Sequence, residues 1–313
     1  PDALTTARLQ YQERASHAKS HYGDLYPSLN ASYSLTENFV ARAAYARTIG
    51  RPDLSAIIPT RSVADPAVAE NNRVINTTNA GLKPWTADNY DLSFESYSVK
   101  GATVAVSLFR KDISGFFVTT RTDATAALLE AMGLSDDYLD YDVISRANSA
   151  NAVALDGLEW SWRQSLKPFA FLPGWARGVQ VWCNGTHLRL SGAGQDEFSG
   201  YSPRILNWGA SYASARFLLK YNVSRIGRQR AALTPVSATV PAQTYQAQDT
   251  RMVMDGSVEY RFHKKFALYT SVRNLANEPR PLITYSPNAP AYTWPRTYTY
   301  YGALWTFGVK GTF

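Results

Sequence analysis

Tyr298–Phe313 reads YTYYGALWTFGVKGTF. Taken at every second position back from the end, it gives Phe313, Gly311, Val309, Phe307, Trp305, Ala303 and Tyr301. None of these is charged and four are aromatic. The intervening positions, Thr312, Lys310, Gly308, Thr306, Leu304, Gly302 and Tyr300, are more polar and richer in glycine. Alternation with a period of two is the mark of a strand with one apolar and one wetter face. Read as one strand, the segment is longer than the five or six residues usual in a soluble sheet. It is long enough to cross a bilayer, which takes about 9–11 tilted residues.

The same alternation recurs along the chain. Twelve segments read as strands: 3–12, 25–35, 39–48, 86–97, 102–113, 151–166, 178–190, 203–213, 215–226, 250–262, 265–274 and 298–313. In 250–262, Met252, Met254, Gly256, Val258, Tyr260 and Phe262 oppose Arg251, Asp255, Ser257, Glu259 and Arg261. In 215–226, Phe217, Leu219, Tyr221 and Val223 oppose Arg216, Lys220, Asn222 and Ser224.

The gaps between these segments also alternate. Short ones fall at 36–38, 98–101, 214 and 263–264, with 167–177 somewhat longer. Long ones fall at 13–24, 49–85, 114–150, 191–202, 227–249 and 275–297. Outer-membrane barrels sort their connections in this way, with short periplasmic turns and long extracellular loops. The expected fold is therefore all-β, a transmembrane antiparallel β-barrel in the outer membrane. One long gap holds a helical signal: Asp123 is a candidate cap for ATAALLEAM (Ala124–Met132), and Gly133 is a stop.

Composition agrees with this class. The 313 residues contain no apolar run long enough for a transmembrane helix. Twenty Tyr and eight Trp are the amphipathic rings that populate barrel girdles. The net charge of +7 comes from scattered Lys and Arg, which argues against nucleic acid as a partner. Cys183 is single, so no internal disulfide forms. His17, His21, His187 and His263 have no metal-binding spacing, and no cofactor or catalytic constellation is visible. Asp136, Asp137, Asp140 and Asp142 lack the glycine-spaced loop of a calcium hand and read as a solvated acidic face.

Leu35–Pro52 (LTENFVARAAYARTIGRP), Leu82–Phe94 (LKPWTADNYDLSF) and Gly308–Phe313 (GVKGTF) together resemble the barrel of a TonB-dependent receptor. Within that family they resemble the subgroup from xanthomonads and caulobacters. The resemblance implies a barrel of about 22 strands around an N-terminal plug. It also implies coupling to the inner-membrane energy complex through that plug, and import of a scarce nutrient. An oligosaccharide is favoured over a ferric siderophore. Residues 1–313 then form the C-terminal part of the barrel, about twelve strands, with plug and N-terminal strands absent. Pro1 opens the chain without Met, which fits a fragment. Phe313, Gly311, Val309 and Phe307 resemble the signal by which barrel-assembly machinery captures a closing strand.

Aromatics in the long gaps are candidate ligand contacts. Tyr285, Tyr292, Trp294 and Arg296 lie in or just beside 275–297, and Tyr245 in 227–249. Flat rings beside amide and guanidinium donors suit a polyhydroxylated ligand. The plain alternative is a loop packed on itself. Two other readings of the chain stand beside the importer. One is a self-contained twelve-stranded porin or outer-membrane enzyme, and the other a soluble all-β carbohydrate-binding module.

Overall fold

The computed structural model describes residues 22–97, 100–234, 240–241 and 243–311. Nineteen strands lie among them. They are β1 (Ser28–Thr36), β2 (Phe39–Gly50), β3 (Arg61–Val63), β4 (Val74–Thr77), β5 (Trp85–Ser96), β6 (Ala102–Ser114), β7 (Phe117–Asp123), β8 (Asp142–Asn148), β9 (Val153–Ser165), β10 (Val179–Ser191), β11 (Arg204–Ala213), β12 (Phe217–Ile226), β13 (Gln229–Leu233), β14 (Tyr245–Gln248), β15 (Arg251–Tyr260), β16 (Phe266–Arg273), β17 (Arg280–Tyr285), β18 (Pro295–Thr299) and β19 (Leu304–Gly311). Two short α-helices join them, α1 (Leu54–Ile57) and α2 (Ala126–Met132).

Eleven strands make one antiparallel wall in the order β1-β2-β5-β6-β9-β10-β11-β12-β15-β16-β19. These match eleven of the twelve expected segments; the first, 3–12, lies outside the described residues. Among the described residues the wall is an open barrel segment with β1 and β19 at its two edges. The eight remaining strands form two four-stranded sheets, β3-β4-β8-β7 and β13-β14-β17-β18. Both are built from the long connections.

Register carries the two-faced pattern across strands. Tyr212, Leu219, Val258, Thr270 and Phe307 stand opposite one another from β11 to β19. One residue along, the row is Ser211, Lys220, Ser257, Ser271 and Thr306. The other half of the wall repeats this. Tyr33, Ala41, Phe94, Val106, Trp160, Gly185 and Leu206 share a row. The adjoining row ends in Ser161, Asn184, Asn207 and Ser224. There Asn207 donates to Asn184 Oδ1 at 2.9 Å and accepts from Ser224 Oγ at 2.6 Å. Apolar residues on the first face stay open, Phe307 at 72% and Val258 at 42% of full exposure. No helix among the described residues is long and apolar enough to cross a membrane.

The connections fix which face is the lumen. Phe116 and Phe198, both from long loops, pack on Ala87, Ile113, Val153 and Leu190 at the loop end of β5, β6, β9 and β10. Those four belong to the polar-row face, so the loops fold over that side. The open apolar face is left to the bilayer. On the lumen side, charges pair across strands. Lys310 meets Glu259 at 2.6 Å and Arg42 meets Glu95 at 2.6 Å. Arg261 stands 3.9 Å from Glu259.

The wall also uses a repeated small–large pairing. Gly50, Gly157, Gly185, Gly209 and Gly308 stand directly opposite Trp85, Phe109, Trp160, Trp182 and Tyr269. A Cβ on each would lie 1.9–2.7 Å from the opposing ring. The aromatic therefore lies flat across its glycine and covers an otherwise bare backbone.

Two local expectations need correction. Residues 298–313 are not one strand. Tyr298 and Thr299 close β18, and β19 begins only at Leu304 after a break in which Gly302 takes φ 78°. The helix at 126–132 is capped by Thr125, whose side chain accepts from Leu128 N, while Asp123 ends β7. Gly133, with φ 65°, is the stop the sequence indicated.

The facing assignment has a direct check. Arginine at Val258 or Phe307 is expected to destabilise the folded protein by about 2–4 kcal/mol, the cost of a cation at mid-membrane. Arginine at the neighbouring lumen positions Ser257 or Thr306 is expected to cost under half of that. Denaturant titration in lipid vesicles reads both; equal costs would reverse or abolish the assignment.

Candidate ligand-binding loops

Two folded caps stand at the end of the wall that carries the long connections. The first is β3-β4-β8-β7 with α2. Its strands are only 3–7 residues long. Their stability comes from a common core of Ile75, Leu129, Tyr141, Val143 and Ala124, with Ile75 and Leu129 fully buried. The Tyr141 hydroxyl donates to Ala64 O at 3.1 Å. The acidic run is taken up here. Asp140 pairs with Arg73, Asp142 with Arg121 at 2.5 Å, and Asp137 accepts from Ser135 Oγ at 2.9 Å.

A polar groove of about 390 Å³ opens on this cap. Ser55, Thr60, Asn76, Thr119, Arg61 and Arg146 line it. Arg61 donates to Met132 O, and burial lowers its pKa from the ordinary arginine value. Arg146 is exposed. The groove offers hydroxyls, an amide and two guanidinium groups, a donor-rich surface for an oxygen-rich ligand.

The second cap is β13-β14-β17-β18, cored by Ala247 and Ile283. Tyr245 and Tyr285 are a direct cross-strand pair, their ring centres 4.8 Å apart. Trp294 lies 4.7 Å from Tyr285 and donates its indole N–H to Ala289 O at 3.0 Å. Arg228 places its guanidinium 5.7 Å from the Tyr285 ring and 5.3 Å from Trp294. Its Nε meets Asp249 Oδ1 at 2.9 Å. Partial burial works against the charge on Arg228, but the Asp249 carboxylate and the Tyr245 hydroxyl together outweigh this and its pKa is raised. Arg230 covers Tyr245 at 5.3 Å and reaches Asp196 in the loop 192–203.

The five ring and guanidinium positions expected from sequence therefore divide. Tyr245, Tyr285 and Trp294 come together as one half-buried stack. Tyr292 projects from a 3₁₀ turn at 83% exposure, and Arg296 is exposed on β18. The stack's cationic partners, Arg228 and Arg230, were not anticipated. Their only sequence signal is RIGRQR (Arg225–Arg230) running off the end of a strand. Of the four assembly-signal residues, Phe307, Val309 and Gly311 lie in β19, and Phe313 is outside the described residues.

Comparison with known families matches the chain, over residues 3–275, to the TonB-dependent receptor-like β-barrel. The chain belongs to the TonB-dependent receptor family. Its wall is part of a barrel of the bacterial outer membrane. Among solved structures it is similar to a mutant of the ferric enterobactin receptor PfeA of Pseudomonas aeruginosa. The TM-score is 0.62 at 20% identity over 92% of this chain and 40% of that one. It is similar also to the siderophore receptor PirA of Acinetobacter baumannii, with TM-score 0.61 and 16% identity over 92% and 41%. A complex of a PfeA mutant with enterobactin gives 0.58 and 21% over 81% and 35%. At these identities the likeness is one of fold. The chain spans roughly two fifths of the receptors it matches. No curated protein sequence matches it.

Arg228 ties the second cap together, so Arg228→Ala is expected to loosen the cap and spare the wall. Hydrogen exchange of β13, β14 and β17 should accelerate by the equivalent of about 1–2 kcal/mol, from two cation–π contacts and one charge-assisted hydrogen bond. The exchange of β11, β12 and β15 should not change.

Proposed function

We propose that this chain is the C-terminal barrel wall and extracellular loop assembly of an active importer. Ligand binds among the loops, and the inner-membrane energy-coupling complex acts through a plug supplied by another part of the receptor. The single observation that carries the reading is the family match over residues 3–275, joined to a wall whose long connections are folded caps rather than short turns. Barrel-assembly machinery would insert the chain through its closing strand, including Phe307, Val309, Gly311 and Phe313. The motifs at Leu35–Pro52 and Leu82–Phe94 favour the xanthomonad and caulobacter subgroup.

For the cargo we favour an oligosaccharide. The hydroxyl- and amide-lined groove beside α1 and the exposed Tyr292 and Arg296 suit hydroxyl-rich rings. Tyr245, Tyr285 and Trp294 share one stack, so the ring edges turned to solvent are what they offer a ligand. A ferric siderophore is the second reading. Arg61 and Arg146 put two positive charges in the same groove, which suits an anionic chelate.

The two cargoes separate by titration calorimetry on the complete receptor. With an oligosaccharide ligand, Tyr292→Ala is expected to weaken binding by on the order of 1 kcal/mol, the worth of one stacking ring. The melting temperature should stay unchanged. Arg61→Gln with Arg146→Gln should then have the smaller effect. If the arginine pair governs affinity for a ferric chelate and Tyr292 does not matter, the siderophore reading replaces the first. If neither change alters the binding of either cargo, the loops are not the binding surface.

A further inference from the structure

The bilayer face changes character near its extracellular end, and it does so unevenly. From β2 to β9 the charged groups Arg47, Asp88, Arg110, Asp112 and Asp156 each have a polar partner at this level. Arg47 pairs with Asp24 at 2.8 Å, and Tyr45 donates to Asp88 at 2.8 Å. Arg110 pairs with Asp112 at 2.9 Å and reaches Asp156 at 3.6 Å. From β10 to β12 the pattern is one-sided. Arg189, Arg204 and Arg225 stand on three adjacent strands, all exposed. Among the described residues none of the three has a carboxylate within ion-pair distance. Asp156 is the cross-strand neighbour of Arg189, but its ion pair is with Arg110.

Register puts these arginines on one face. His187 is directly opposite Arg204, and Leu206 directly opposite Arg225. Arg189 and Arg225 are thus each diagonal neighbours of Arg204, about 7–8 Å apart at the backbone and within reach of long side chains. The row through Gly185, Trp160 and Leu206 is the apolar face already assigned to lipid. The three arginines therefore point outward from the barrel, not into its lumen. A groove of about 720 Å³ runs between them, with Trp160 and Leu206 among its apolar lining and Arg189, Arg204 and Arg225 along its upper edge. The Trp160 ring packs over Gly185 and forms part of the groove's apolar lining.

A cluster of exposed cations above an apolar wall is unfavourable without a partner, because the three like charges repel. We propose that this groove is a docking site for a phosphorylated, acylated glycolipid of the outer leaflet. Its headgroup phosphates are held by Arg189, Arg204 and Arg225, and an acyl chain lies along Trp160 and Leu206. The charge pattern selects this occupant. Guanidinium forks match phosphate oxygens in pairs. The apolar strip begins directly below the cations, as it must for a molecule with an anionic head and hydrocarbon tails. A soluble anion has no use for the lower half of the groove. A zwitterionic lipid would leave the arginines unneutralised.

The test uses the complete receptor in detergent and three probes: lipid A, lipid A stripped of its phosphates, and inorganic phosphate. Binding is followed by native mass spectrometry. Lipid A is expected to bind the native protein. Arg204→Gln with Arg225→Gln should weaken it by about 30-fold, roughly fivefold for each cation lost near an anionic lipid surface. The lumen-side control Arg163→Gln removes the same charge and should bind as the native protein does. Stripped lipid should bind weakly to all three proteins. The single exchange Arg225→Gln, at an exposed position, carries the same test at about fivefold should the double variant not fold. Undiminished binding to the arginine variants, equal binding of stripped lipid, or an equal loss in Arg163→Gln would overturn the proposal. So would inorganic phosphate that occupies the arginines and displaces the lipid, since the ligand would then be a soluble anion.

Discussion

Unpaired backbone amides are costly in hydrocarbon, and the rest of this structure follows from that cost. A strand crossing the bilayer must hydrogen-bond on both sides along its whole crossing. Nine of the eleven wall strands, β2 to β16, are flanked on both sides by antiparallel partners. An unbroken ladder forces side chains to alternate, and alternation assigns every wall residue to lipid or lumen. That is why Lys220 and Leu219, adjacent in sequence, stand in a polar and an apolar row. The ladder also sets where glycine can be tolerated. Gly157 and Gly308 lose no packing because Phe109 and Tyr269 cover them from the facing strand.

The same constraint explains what was legible in the sequence. A wall strand must display its alternation wherever it meets lipid, so the eleven described crossings could be read from residues such as Met252, Val258 and Tyr260. The caps are under no such obligation. Strands β3 and β4 have three and four residues and take their order from the buried core around Ile75 and Leu129. No local period marks them, and the long connections read as loops with one helix. The break at Tyr300–Ala303 was hidden for the opposite reason. Aromatics continue to alternate through it, so a loop segment imitated a strand, although Gly302 takes a positive φ there and β18 and β19 pair in different sheets.

The candidate site was legible in its residue types and not in its contacts. Tyr245, Tyr285 and Trp294 were recognisable as rings in extracellular loops. Their meeting depends on the pairing of β14 with β17, across about forty residues of chain that include two wall strands. Arg228 was missed because its value lies in that same meeting: a cation beside two rings and a carboxylate that sequence distance keeps apart. Asp123 and Thr125 show the difficulty on a smaller scale. Both are good caps by type, and the continuation of β7 through Asp123 decides between them.

The wall and the caps therefore carry sequence under different rules, and this bears on how such a receptor changes cargo. Each wall residue is fixed by its row: a charge at a lipid position or a large side chain opposite Trp160 meets an immediate penalty. The caps have small cores of their own, Ile75 with Leu129 in one and Ala247 with Ile283 in the other. Residues outside those cores, such as Tyr292, Arg296 and Arg146, can be exchanged without touching a wall ladder or a cap core. Side-chain chemistry can change there at little cost to the barrel. The lipid-facing arginines on β10 to β12 belong to neither class. They lie on the rigid wall and face outward, with no carboxylate within ion-pair distance among the described residues, so they stand where lipid rather than a loop-bound ligand would meet them.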